Sequence, residues 1–371
     1  MKILMINSVC GIRSTGRICT DLAAEFENEG HELKIAYGRE SVPERYQKYA
    51  VRIGGDFGTK CSALHTRLTD KHGFANKKAT KRFLLWAEEF NPDLLWLHNI
   101  HGYYINVEML FDWIKSRPDM QVKWTLHDCW AFTGHCTHFD FAGCERWLSG
   151  CYDCSQTRRY PSALRDHCKE NYKRKKAAFT GVRDMTLITP SHWLAGLAQK
   201  SFLGKYPVVV HHNTIDERVF KPTEGDFRRR YGLTDKKIVL GVASVWDERK
   251  GFGDFIKLAG MLDNTYVIVM VGVSEKQKKQ LPENIIGITR TNNTKQLAEI
   301  YTAADVFVNL TYEDNYPTVN LESQACGTPC ITYRTGGSVE SVPPENVVDK
   351  GDLAAVVCKI TVLIDKTEKE K

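Results

Sequence analysis

The sequence predicts an α/β protein made of two doubly wound, Rossmann-like domains, and three observations carry that prediction. Short apolar runs rich in Val, Ile and Leu, such as 2–7, 93–98, 237–244 and 306–310, alternate with amphipathic stretches of helical length. Runs of this kind suit parallel strands buried on both faces, and their alternation with helices marks βαβ units. The 371 residues exceed one ordinary doubly wound domain. The strand–helix rhythm also restarts near Lys237 after a stretch that contains Pro222.

Composition narrows the class further. With 42% apolar and 26% charged residues and a formal net charge of +6, the chain can bury a sizeable core. No run approaches the roughly 18 apolar residues of a membrane span. The N-terminal residues 1–7 run into a strand rather than a signal peptide, so a cytoplasmic protein is expected. Arg158-Arg159, Lys173 to Lys176 and Arg228 to Arg230 form basic clusters. Such clusters are usually solvated faces; contact with an anionic membrane or a phosphorylated acceptor is the rarer reading.

In the first half, residues 2–7 read as a buried strand, a loop holds Gly11, Ser14, Thr15 and Gly16, and a helix runs over 17–28. The loop matches neither the dinucleotide fingerprint nor a Walker loop. Residues 31–37 form the next strand. From 41 to 80 only a helix over 62–70 is legible, and then 77–90 is helical until Asn91-Pro92 breaks it. Strands over 93–98 and 121–128 follow, separated by a helix over 106–115. These two strands end in His98 and His127, with His101 and Asp128 close by. Strand ends of doubly wound sheets face ligands, so His98, His101 and His127 are candidates; the family resemblance given below is what puts His127 first.

A cysteine-rich segment then interrupts the pattern. Five of the twelve cysteines fall between Cys136 and Cys168, and Cys136, Cys144, Cys151 and Cys154 end in a Cys-x2-Cys pair. In a reducing compartment this spacing favours a closed, structural four-sulfur zinc site over disulfides or free buried thiols, all of which remain open. His135, His138, His167 and Cys168 are substitute ligands. The aromatic residues Trp130, Phe132, Phe139 and Phe141 lack an interleaved basic run, so no nucleic-acid partner is expected. A basic helix over 163–179, a strand over 185–191, a helical face around Trp193 to Ala198 and a strand over 208–213 complete the half.

In the second half, strands over 237–244, 266–272, 285–289 and 306–310 alternate with helices over 250–262 and 294–304, the latter capped by Asn293 with Gln296. After the acidic turn Glu313-Asp314-Asn315, Pro317 opens a short helix that stops at Gly327-Thr328-Pro329. The unpaired N–H groups of Thr318 and Val319 at its start favour a phosphate, and Glu322 one turn in can accept from sugar hydroxyls.

Asp314-x7-Glu322 resembles the acidic Glu-x7-Glu motif of the retaining family 4 glycosyltransferases with the GT-B fold, with Glu313 a rival for the first carboxylate. Asn213-Thr-Ile-Asp216 with Phe220 and Pro222 is similar to the family's interdomain signature, Lys250-Gly251 to its diphosphate-binding Lys-Gly, and Gly336-Gly337 to its Gly-Gly turn. Some bacterial polysaccharide-biosynthesis members carry a similar Cys-rich loop. The resemblance implies an acceptor-side domain over 1–207 with the insertion 129–168, a linker over 208–231 and a donor domain over 232–371, facing a cleft.

It further implies a nucleotide-diphosphate sugar as donor and a glycan or lipid-linked acceptor. Arg249, Lys250, Thr318, Val319, Glu322 and Gly16 (with Arg17) would bind the donor, and His127, Asp314 and Glu313 would serve catalysis without a catalytic metal. The family's usual Arg falls on Val245, and a terminal helix that crosses back in family members is expected to be missing. These departures leave open a non-catalytic relic that binds a sugar nucleotide or a protein partner.

Overall fold

A computed structural model describes the backbone of residues 1–370 and side chains through Lys366. The chain divides into two units, residues 1–211 and 212–371. The expected linker over 208–231 therefore shifts: residues 208–210 pair with the sixth strand of the first sheet and belong to the first unit.

In the first unit, strands β1 (Lys2–Asn7), β2 (Glu32–Tyr37), β3 (Ala50–Arg52), β4 (Leu94–Leu97), β5 (Gln121–Thr125), β6 (Met185–Thr189) and β7 (Val208–Val210) form one sheet. All its pairings are parallel, in the order β3-β2-β1-β4-β5-β6-β7. The order reverses between β1 and β4, so the loops after these two strands diverge and leave a crevice at the carboxyl edge. Asn7 ties that edge together: its side chain donates to the Val9 carbonyl (2.8 Å) and accepts from the Asn99 N–H (3.2 Å).

Helices α1 (Arg13–Asn28), α2 (Asp56–Thr69), α3 (Lys77–Phe90), α4 (Val107–Lys115), α5 (Cys168–Phe179) and α6 (His192–Lys200) connect the strands. Their ends follow local chemistry. Asn106 and Ser191 cap α4 and α6 by accepting the Met109 and Leu194 N–H groups. Asp70 and Asn91 end α2 and α3 in the left-handed conformation. Two expectations need correcting. Helix α1 begins at Arg13, so Gly16 sits in its first turn rather than in a loop. Helix α5 begins at Cys168, because the Cys-rich segment extends to that point.

The second unit holds β8 (Lys237–Val242), β9 (Tyr266–Val271), β10 (Ile285–Ile288), β11 (Val306–Asn309), β12 (Cys330–Tyr333) and β13 (Val347–Val348), again parallel, in the order β10-β9-β8-β11-β12-β13. Here the order reverses between β8 and β11. Helices α7 (Phe227–Arg230), α8 (Phe252–Ala259), α9 (Glu275–Lys278), α10 (Thr294–Ala303), α11 (Thr318–Ala325) and α12 (Leu353–Glu370) surround the sheet. Pro317 is the N-cap of α11 rather than its first residue. Helix α12, not anticipated from sequence, buries Val356, Ile360 and Ile364 in the core of this unit. Phe220 and Tyr301 pack edge to face on the opposite face of the sheet, so the stretch after Asn213 is anchored in the second unit.

Candidate functional site

The second unit's site forms where the loops after β8 and β11 leave neighbouring strands. Gly251 lets the first loop approach: its φ is +72°, and a Cβ there would lie 2.2 Å from the Leu310 carbonyl oxygen. The two loops are then tied by main-chain and side-chain bonds. The Tyr312 N–H donates to the Arg249 carbonyl (2.8 Å), Arg249 Nη1 donates to the Glu313 carbonyl (3.2 Å), and Lys250 Nζ pairs with Asp314 Oδ2. Behind them, buried Asp254 accepts from Tyr312 (2.6 Å) and Tyr333 (2.9 Å), fixing α8 against β11 and β12. Burial, with the Asp254 carboxylate beside it, pushes the Tyr312 phenol up to about 12, so it stays a donor.

The predicted residues Arg249, Lys250, Glu313 and Asp314 thus come together. Thr318 and Val319 open α11 directly after this turn, and Glu322 lies one turn further in, accepting from Tyr301 OH at 3.1 Å. Glu313 is 1% exposed, whereas Asp314 and Lys250 keep part of their side chains open, which favours Asp314 over its rival as the group that meets a ligand. Val245 is exposed at the other end of the β8 loop. Asn320 fixes the start of α11 by bonding Asn309 (2.8 Å) and Ser341 (2.9 Å). A groove of about 530 Å³ runs beside α11, lined by Asn213, Tyr316, Gln324 and Glu340, with Lys250 and Asp314 outside its lining. Its volume falls in the range of small-molecule sites.

In the first unit, Gly16 packs inward, where a Cβ would lie 3.0 Å from Val9 Cγ2. The close approach holds the β1 loop against α1, a structural reason for glycine at this position. His127 Nε2 lies 3.1 Å from His98 Nδ1, with the rings stacked at 5.4 Å. Burial pushes His127 down to about 4 and holds His98 well below its ordinary value, so neither carries charge near neutrality. A second pair lies beside them. His101 Nε2 lies 2.9 Å from Asp128 Oδ2, and its Nδ1 is 3.3 Å from Tyr160 OH. Burial alone would raise Asp128, yet the His101 ring holds its carboxyl at about 2.

His72, from the connection that sequence left unassigned, accepts the Gly102 N–H at 3.2 Å and rings with His101, Tyr103, Trp130 and Tyr160. Nothing in the local sequence marks His72 or Tyr160, because they meet His101 from segments 29 and 59 positions away.

The four predicted cysteines line one cavity of about 20 Å³ together with Cys168 and His135. Their grouping differs from the expected tetrad. Cys154 hydrogen-bonds with Cys136 and with Cys168, which hold its thiol well below the ordinary value. Cys151 accepts the Gly134 N–H at 3.2 Å, and among the described residues no three of these ligand atoms lie within 4.8 Å of one another.

The basic clusters are mostly open to solvent, in line with their reading as solvated faces: Arg158, Arg159, Lys173, Lys176, Arg229 and Arg230 are exposed, and Lys175 is the exception. Lys175 is 1% exposed and donates to the Trp130 and Thr133 carbonyls. Arg174 pairs with Glu108, Arg228 with Asp305 and Arg230 with Glu299.

The two parallel-sheet units are those of the GT-B fold. Sucrose-phosphate synthase of Thermosynechococcus elongatus superposes with a TM-score of 0.69 at 14% identity, covering 98% of this chain and 90% of that one. Anabaena HepE in complex with UDP superposes with a TM-score of 0.64 at 15% identity, covering 100% and 91%. Residues 224–371 match the family described as Glycosyl transferases group 1, the part that contains the whole β8–β11 site. An Escherichia coli K12 protein named as a glycosyl transferase of colanic acid biosynthesis, WcaC, is 22% identical over 370 residues, spanning 92% of this chain and 85% of its own. The N-acetyl-alpha-D-glucosaminyl L-malate synthase of Bacillus anthracis is 26% identical over 189 residues, about half of each chain. The protein is a glycosyltransferase.

Proposed function

We propose that this glycosyltransferase moves a sugar, with retention at the anomeric carbon, from a nucleotide-diphosphate sugar to a glycan or lipid-linked acceptor in cell-surface polysaccharide assembly. The observation that carries the donor assignment is the meeting of Lys250 with Asp314 and of Arg249 with the Glu313 carbonyl at the point where the β8 and β11 loops diverge. When the bond from the anomeric carbon to the diphosphate breaks, charge grows on the phosphate oxygens. Two cations and the N–H groups of Thr318 and Val319 are the groups suited to meet it. Glu322 would accept from the ribose and Asp314 from the sugar. HepE was solved with UDP and with UDP-glucose, which supports a nucleotide sugar as donor, and the relation to WcaC supports the polysaccharide setting.

No metal is asked for a step of the transfer. His127, which the resemblance puts over the anomeric region, is neutral at physiological pH and can donate or accept without carrying charge. Among the described residues no helix is long and apolar enough to cross a membrane, so a lipid-linked acceptor would be met at the membrane surface. Arg158, Arg159, Lys173 and Lys176 are the exposed cations of the basic clusters available to an anionic surface. The test is calorimetry against UDP-, GDP- and ADP-sugars, with hydrolysis followed in the same samples. One base should bind and slowly lose its sugar. Binding without turnover of any donor would favour the non-catalytic reading, and no binding at all would overturn the donor site.

A further inference from the structure

We propose that helix α2 is a membrane-docking element, whose outward apolar face enters an anionic lipid surface beside the His101–Asp128 pair. The helix is patterned inside out. Ser62 and Thr66 face the protein and are buried, while Phe57, Cys61, Leu64 and Leu68 are exposed. Positions spaced four, three and four apart share one side of a helix, so these residues form a continuous apolar stripe toward solvent. Phe57 keeps 82% of its surface open, Leu64 61% and Leu68 49%. A surface helix ordinarily turns such a stripe toward the core, so this face has no partner within the folded unit.

A distant segment lengthens the stripe. The Leu164 N–H donates to the Arg67 carbonyl at 2.8 Å, and Arg67 Nη1 donates to Ser162 Oγ, so residues 162–164 lie against the end of α2. Leu164 is 68% exposed there.

Charge selects the occupant. Residues 57–69 and 157–165 carry the cations Lys60, Arg67, Arg158, Arg159 and Arg165 and no carboxylate. All of these cations are exposed, and none forms an ion pair among the described residues. A second copy docking here about a two-fold axis would set like charges against each other. An anionic bilayer suits both halves of the surface: Phe and Leu enter the boundary of the acyl chains, while Lys and Arg reach back to the phosphates.

The face adjoins the His101–Asp128 pair. Tyr160, from the same basic segment, has its hydroxyl 3.3 Å from His101 Nδ1, and His101 Nε2 lies 2.9 Å from Asp128. A chain seated on lipid through α2 and Leu164 holds this pair near the headgroups, where the head of a lipid-linked acceptor lies. That use rests on the function proposed above; the docking itself does not.

The test is co-sedimentation of the full chain with vesicles of equimolar phosphatidylcholine and phosphatidylglycerol, without donor or acceptor. The parent should sediment with them, and vesicles of phosphatidylcholine alone should capture ~10-fold less or lower. Phe57→Ser combined with Leu64→Ser should weaken binding ~10-fold or more. Lys60→Glu combined with Arg158→Glu should do the same on the anionic vesicles. These side chains are exposed, so the thermal midpoint and the slow hydrolysis of donor should match the parent in both variants. No sedimentation of the parent, or equal binding by the Phe57 and Leu64 variant, would overturn the docking face. Equal binding by the Lys60 and Arg158 variant would overturn the anionic partner. A dimer in sedimentation velocity that the apolar variant dissolves would assign the stripe to a second copy and overturn the proposal. Vesicle binding without turnover of any donor would support the docking while overturning the sugar transfer.

Discussion

Lys250 and Asp314 form an ion pair across the two loops that leave the neighbouring strands β8 and β11. They stand 64 positions apart in sequence, and both side chains are mostly but not fully buried. Under the proposed donor assignment, the cation meant for the diphosphate and the acid meant for its sugar satisfy each other in this ion pair. Lys250→Ala should lower turnover by ~10²–10³-fold, the scale for removing one preorganised charge partner of a leaving group. Initial-rate kinetics with the donor found by calorimetry measures this. A loss below threefold would remove Lys250 from the site.

Glu322 should act on the donor's ribose. Glu322→Ala should abolish measurable donor binding while leaving the thermal midpoint within a few degrees of the parent. Tyr301→Phe removes only the 3.1 Å bond that orients Glu322, so its cost should be about 1 kcal/mol in donor affinity, near fivefold. Equal losses from both variants by calorimetry would mean that Glu322 is structural.

The His101–Asp128 pair belongs to the unit assigned to the acceptor, so Asp128→Asn should separate two rates. Slow hydrolysis of the donor should be retained, while transfer to an acceptor should fall at least ~10²-fold, the lower range for general acid–base groups. Loss of both in parallel would argue against an acceptor role.

Acid should destabilise the first unit through His127. Its pKa is about 4 in the folded chain and 6.5 as its ordinary value. Between these values the unfolded state binds more protons, so stability is full above about pH 6.5 and is lost as pH falls toward 4. Urea midpoints of the parent should fall over that window, and His127→Gln should flatten the slope. The same slope in both proteins would assign the effect to other groups.

Gly251→Ala tests the loop geometry. A Cβ 2.2 Å from the Leu310 carbonyl, at a φ of +72°, forces the β8 loop away from β11. Donor affinity should drop more than tenfold, together with a lower thermal midpoint. An unchanged affinity would mean that the close approach of these loops does not shape the donor site.

The strands and helices were largely readable from the sequence because their signals are local. Residues 77–90 announce α3 by periodicity and end at Asn91-Pro92, and the β11–α11 corner is spelled by an apolar run, an acidic turn and a proline. The positions of Asp314, Glu322 and the clustered cysteines followed from the same local patterns and from spacing, and that of Lys250 from the family resemblance. The pairing of Lys250 with Asp314, the choice of Asp314 over buried Glu313, the inward packing of Gly16, and the contacts of His101 with Asp128, Tyr160 and His72 were decided by tertiary structure. So was the burial of Lys175 inside a basic run. In each of these cases burial and the partner's distance depend on chain segments far away in sequence, and those two quantities determine whether a charge is solvated, paired or neutral.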